Sequence, residues 1–142
     1  MRILSVEQKV SFYENGFVVG CERTREAVVI DPGDEADALL GSVRNHRLEV
    51  VYILLTHAHI DHSGNLPNLV RQGFSGPIFA TGATHDLCQW MLRDSAYIQE
   101  KDVLYVNRKR QKKGQAPFEP LYTRQDAEAA LELFQSVAYG TE

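Results

Sequence analysis

Apolar and polar positions follow two different periods along this chain, and the changes of period mark out its elements. Residues 11–20, "SFYENGFVVG", and 26–31, "EAVVID", are rich in Val, Ile and aromatics, and read as two strands joined by the polar turn "CERTR". In "DPGDEADALLGSV" the period lengthens. Ala36, Leu39, Leu40 and Val43 fall at i, i+3, i+4 and i+7, and acids crowd the first turn, where a helix dipole favours them. Residues 50–55, "VVYILL", form a continuous apolar run, the pattern of a strand buried on both faces. "LPNLVRQGF" predicts a short helix with Pro67 near its start and Gly73 at its end, and "GPIFAT" another short strand.

From Thr81 onward the character is helical. Leu87, Met91 and Leu92 mark one helix, and a second is expected from about Ser95 to Lys113, stopped by Gly114. Trp90 and Met91 offer a base-stacking surface, but the helical pattern places them in the core. Arg93 and Asp94 read as a salt bridge or a helix-end contact. "GQAPFEP" is a loop. Thr123 and Asp126 have capping-box spacing, followed by Ala127, Ala130, Leu131 and Phe134 on one helical face, and "FQSVAYG" is a last strand. Strands first, then alternating helices and strands, predict a layered α/β domain with a mixed sheet.

Composition narrows the partners. The 142 residues are 44% hydrophobic and 24% charged, those of one globular domain, and the net charge of −4 gives no global pull toward nucleic acid. No apolar run approaches the length of a membrane span, and Met1-Arg2-Ile3-Leu4 opens no signal peptide. Cys21 and Cys88 lie far apart without CxxC spacing. They are expected as small buried apolar residues in a reducing cytoplasm.

The chemistry concentrates after the apolar run. Of five histidines, three (His57, His59 and His62) fall within six positions together with Asp61. Imidazole and carboxylate suit zinc, and two residues one apart in an extended segment point the same way. Asp31, at the end of the preceding strand, either holds a ligating imidazole in one tautomer or caps the Pro-Gly turn that follows it. Arg108, Lys109, Arg110, Lys112 and Lys113 form a basic run. It reads first as a solvated helix end complementing the dipole, and in the alternative as a contact for RNA phosphates.

The motif "THAHIDH" with an upstream "IDPG" resembles the metallo-β-lactamase superfamily. Residues 15–35 look like glyoxalase II-type thioester hydrolases. Residues 54–139, with "HSGNLP", "GPIFAT", "MLRDSA" and "IQE", look like RNA-processing nucleases with a β-CASP insert. The resemblance implies that residues 1–142 are a single, incomplete domain: the amino-terminal half of an αββα sandwich, with a mixed β-sheet and flanking helices. It implies two zinc ions per complete site. His57 and His59 would bind the first and Asp61 and His62 the second, with Asp61 the candidate catalytic carboxylate and Asp31 supporting the ligands from behind. A third histidine, a bridging aspartate and a last histidine complete the site in that superfamily, and are not supplied here. His85 and His46 read as surface residues rather than substitute ligands. The implied activity is that of a phosphodiesterase or ribonuclease using a metal-bound hydroxide. The alternatives are thioester hydrolysis and a catalytically silent piece that binds RNA. The implied partners are RNA and whatever covers the unpaired half of the fold, and no membrane.

Overall fold

Six strands form one sheet, in the order in which the chain makes them. The computed structural model describes residues 2–7, 15–33 and 36–140. Residues 11–14 of the first expected strand and the acids Asp34 and Glu35 lie outside the described residues, as does the side chain of Ala36. The strands are β1 (Arg2–Glu7), β2 (Asn15–Gly20), β3 (Glu26–Ile30), β4 (Glu49–Leu54), β5 (Ile78–Thr81) and β6 (Phe134–Val137). The first three run antiparallel, and β3 through β6 are parallel. The sheet is therefore mixed, as expected. β1 is an addition, because the reading of the hydrophobic pattern began at residue 11.

Each parallel connection carries helices, as a crossover between parallel strands requires. These are α1 (Ala36–Asn45), the short α2 (Ile60–Ser63) and α3 (Leu66–Arg71), then α4 (Gly82–Gln111) and α5 (Arg124–Glu132). Val18, Val29, Ile53, Ile78 and Phe134 align across the sheet and are all buried. They share one core with Leu39 and Val43 of α1, Leu66 and Leu69 of α3, Leu92 of α4 and Leu131 of α5.

The opposite face is different, and it corrects the expectation that β4 is buried on both sides. Phe17, Ile30, Leu54 and Phe79 form the adjacent row, with Val28 and Tyr52 beside it. Tyr52 is 44% and Leu54 39% exposed, because the helices whose buried residues join the core pack on the Ile53 side. A run of apolar residues with no alternation shows that both faces are apolar, and leaves open what covers each.

A second correction concerns α4. The two helices expected from Leu87 to Lys113 are one helix of 30 residues. No Gly or Pro interrupts residues 83–113, so nothing local breaks it. Its buried residues are Thr84, Cys88, Leu92 and Ala96, an i, i+4 stripe that ends midway. Trp90 is off that stripe and 76% exposed, and Leu87 is exposed as well, so neither belongs to the core. Beyond Ala96 no residue of α4 is buried. The carboxy-terminal half is held from the side by the following loop. The Asn107 side chain accepts from Phe118 N and donates to Phe118 O, both at 2.8 Å, and Arg110 Nε donates to Ala116 O at 2.6 Å.

The end of the chain follows the sequence. Thr123 and Asp126 form the expected capping box at the start of α5. Ala127, Ala130 and Leu131 are buried from the helix, while Phe134 is buried from β6. Arg93 pairs with Glu128 on α5 at 2.6 and 2.8 Å rather than with Asp94, which ties the two helices together. Arg124 pairs with Glu100 at 3.0 Å in the same interface.

Candidate metal centre

The site forms where two parallel strands end side by side. Asp31 N–H donates to Leu54 O at 3.0 Å, which carries the β3–β4 pairing one residue past β3. The chain then turns sharply. Asp31 lies in the left-handed region at φ 47°, which Asp tolerates better than most residues, and Gly33 follows at φ 58°. The turn aims the buried Asp31 carboxylate at the end of β4. There it meets Thr56 twice. Thr56 N–H donates to Oδ1 at 2.8 Å, and the Thr56 hydroxyl donates to Oδ2 at 2.6 Å.

The histidines follow in an extended segment that enters α2. His57 Nδ1 lies 2.8 Å from Thr56 Oγ1. Its ring is 4.8 Å from that of His59, edge on, and 4.1 Å from that of His62, tilted. His62 comes round on the first turn of α2, and its Nδ1 is 3.6 Å from Asp31 Oδ2 while its Nε2 is 3.9 Å from Asp61 Oδ2. The loop is held from below by Ser63, whose hydroxyl lies 3.1 Å from the carbonyls of both Ala58 and His59. Ser63 also bonds the thiol of Cys88 on α4, which burial pushes above its ordinary range while Ser63 pulls it down.

All five residues singled out in the sequence therefore come to one place. Asp31, His57 and His62 are drawn tightest, with ligand-capable atoms all within 4.8 Å of one another. His59 and Asp61 stand around this group, through their contacts with His57 and His62. Imidazoles and carboxylates at this spacing fit a divalent metal ion. Both Asp31 oxygens already accept bonds from Thr56, which suits a carboxylate that braces ligands rather than one free to coordinate.

Other expectations resolve differently. His85 stacks on Phe134 with ring centres 4.9 Å apart and meets Ser136 Oγ at 3.3 Å, and His46 Nδ1 lies 2.8 Å from Ser42 O. Neither joins the ligand group among the described residues. Cys88 is buried as expected. Cys21 is not: it sits half-exposed at the β2–β3 turn, its thiol lowered to about 7 by the Thr24 side chain and by the backbone at Thr24 and Arg23. The five basic residues lie on the outer end of α4 and the turn after it. Lys109 lies 4.2 Å over the Tyr105 ring, and Arg110 3.9 Å over that of Phe118. Thr56 is the residue that sequence reasoning missed. Its signal was a hydroxyl directly before the first histidine of the cluster.

A family model described as the metallo-beta-lactamase superfamily matches residues 12–113. The chain is 36% identical over 92 residues to the ribonuclease TTHA0252 of Thermus thermophilus, a match covering 65% of this chain and 17% of the ribonuclease. It is 39% identical over 70 residues to a hydroxyacylglutathione hydrolase of Aliivibrio fischeri, covering 49% of this chain and 27% of the hydrolase. In three dimensions it is similar to the B3 metallo-beta-lactamase BLEG-1, with a TM-score of 0.53 and 32% identity over 60% of this chain and 39% of that one. The chain thus spans well under a third of the length of both curated relatives. No helix among the described residues is long and apolar enough to cross a membrane.

Proposed function

Because the chain belongs to the metallo-beta-lactamase superfamily, we propose that it serves a zinc-dependent phosphodiesterase acting on RNA in the cytoplasm. The observation that carries this reading is the 36% identity over 92 residues to a ribonuclease, longer than the match to the thioester hydrolase. The exposed cations at the end of α4 support RNA as partner, and two free cysteines support a reducing compartment.

In this reading His57 and His59 would hold one zinc and Asp61 and His62 a second, with Asp61 the candidate catalytic carboxylate. Zinc, when bound, supplies Lewis-acid stabilisation of charge on the phosphoryl oxygens and a hydrolytic nucleophile at neutral pH. The chain's own residues hold the loop: Thr56 bonds both the Asp31 carboxylate and His57, and Ser63 bonds the carbonyls of the segment that carries His59. The open face beside the site, formed by Tyr52, Leu54 and Phe79, suits association with a further layer of the fold.

A second reading, thioester hydrolysis, is favoured by the 39% identity to a hydroxyacylglutathione hydrolase. The test combines zinc stoichiometry on metal-stripped protein with cleavage of RNA and of S-lactoylglutathione, using His57→Ala/His59→Ala as control. RNA cleavage lost with chelator and in the double variant supports the first reading. Turnover of the thioester alone supports the second. No turnover of either substrate, together with RNA binding indifferent to chelator and to His59→Ala, refutes both and leaves a catalytically silent RNA-binding piece.

A further inference from the structure

We propose that Thr56 is a positioning residue: its hydroxyl passes the orientation of the Asp31 carboxylate to His57, and so fixes which nitrogen of that imidazole is free to bind metal. A hydroxyl has one hydrogen to give and two lone pairs. Thr56 Oγ1 lies 2.6 Å from Asp31 Oδ2, in the range of a strong O–H···O⁻ bond, and an ionised carboxylate can only accept. The single hydroxyl proton therefore points at Asp31. The contact of 2.8 Å between Thr56 Oγ1 and His57 Nδ1 must then run the other way, with Nδ1–H donating to the hydroxyl oxygen. In a neutral ring that leaves the lone pair on Nε2.

The backbone makes this order hard to reverse. Thr56 N–H, which can only donate, occupies Asp31 Oδ1 at 2.8 Å. The carboxylate is thus gripped at both oxygens by one residue, and Asp31 is further placed by its own N–H on Leu54 O. Direct bonding of a ligating imidazole to a carboxylate is the commoner arrangement. Here the hydroxyl stands between them for His57, while His62 Nδ1 faces the same carboxylate directly at 3.6 Å. At that distance His62 is near the carboxylate without a hydrogen bond to it, so only the His57 ring is held through this chain of bonds.

Three substitutions separate this role from mere packing. Thr56→Val keeps the shape and removes the relay. Thr56→Ser keeps the hydroxyl and restores it. Asp31→Asn inverts it, because Thr56 N–H forces the amide oxygen to the Oδ1 place and turns the amide NH2 toward Thr56 Oγ1. The hydroxyl proton is then released from Asp31 and free to donate to His57 Nδ1, which favours the ring proton on Nε2. An Asp-to-Asn exchange that preserves geometry while supplying the wrong tautomer is known chemistry.

The first readout is the tautomer itself, from long-range proton–nitrogen NMR of 15N-labelled, metal-free protein at about pH 8, where imidazole is neutral. His57 is assigned by its loss in His57→Gln. The wild type and Thr56→Ser should carry the proton on Nδ1, Asp31→Asn on Nε2, and Thr56→Val a mixture. The second readout is zinc affinity by dye competition, expected to fall about 10- to 100-fold in Thr56→Val and Asp31→Asn and to stay near wild type in Thr56→Ser. A wild-type ring protonated on Nε2, or a Thr56→Val protein with unchanged tautomer and affinity, overturns the inference. The inference rests on the metal reading only for its second readout. A chain that holds no zinc sinks that reading, and the metal-free tautomer still decides this one.

Discussion

Removing charge from the outer end of α4 puts a number on the RNA reading. Not all five basic residues are equivalent. Arg110 is turned into the structure, donating to Ala116 O and covering Phe118, so replacing it would loosen the loop. Lys109 is exposed with its Nζ over the Tyr105 ring, and Arg108, Lys112 and Lys113 are exposed with no ion pair among the described residues. The perturbation is therefore Arg108→Ala/Lys109→Ala/Lys112→Ala/Lys113→Ala with Arg110 kept. Each cation that neutralises a phosphate of single-stranded RNA contributes about 0.7 to the slope of log K against log salt, so four should remove about 2.8. At about 0.1 M salt, extrapolated from 1 M where the electrostatic part vanishes, this is a loss of up to several hundred-fold in affinity. Exposed substitutions stay within about 0.5 kcal/mol each, so the urea midpoint should barely move. Fluorescence anisotropy with a labelled single strand, repeated over a salt series, gives both slopes. A slope reduced by less than one unit, or an equal loss of affinity at every salt concentration, refutes the assignment of these cations to phosphates.

Other outcomes follow from packing and electrostatics. Leu92→Ala, at a fully buried position of α4, should lose about 3–5 kcal/mol, whereas Leu104→Ala, at one that is 56% exposed, should lose under about 0.5 kcal/mol. Equal shifts in urea unfolding would show that the outer half of α4 is packed after all. A Cβ at Gly64 would stand 2.5 Å from the carbonyl oxygen of Ile60. Gly64→Ala should therefore cost about 1–3 kcal/mol in the same assay and weaken zinc binding by shifting the α2 turn that carries His62. Cys21 should react with iodoacetamide at a rate that rises as pH passes through about 7, because the lowered thiol is increasingly ionised above that point. Thr24→Val should move the midpoint up, and Cys88 should resist alkylation until the protein unfolds.

How much was legible depended on how local each determinant is. The capping box at Thr123 and the short α3 with Pro67 need only neighbours in sequence, and both formed as expected. That Asp31, His57, His59, Asp61 and His62 would lie near one another was legible because strand ends and a crowded histidine motif sit at fixed places in a parallel sheet. Tyr52 and Leu54 were misread because burial on a second face depends on what lies over it, which no periodicity encodes. Trp90 was misread for a related reason: α4 runs on past the body, so its apolar positions outnumber those the core can take. Thr56 could not be found from its own neighbours. Its partner Asp31 is 25 positions away, and only the β3–β4 register brings the carboxylate and the hydroxyl together.

The strand order also sets a timetable. Each strand pairs with the one made just before it. The closures through β4 are short, which favours early growth of that part of the sheet, whereas β6 reaches β5 only after α4 and α5 have been made. Asp31, Thr56, His57 and His62 are all present once α2 exists, before β5 or the long α4 has been made. A nascent chain can thus gather its imidazoles before α4 exists to add Leu92 to the core.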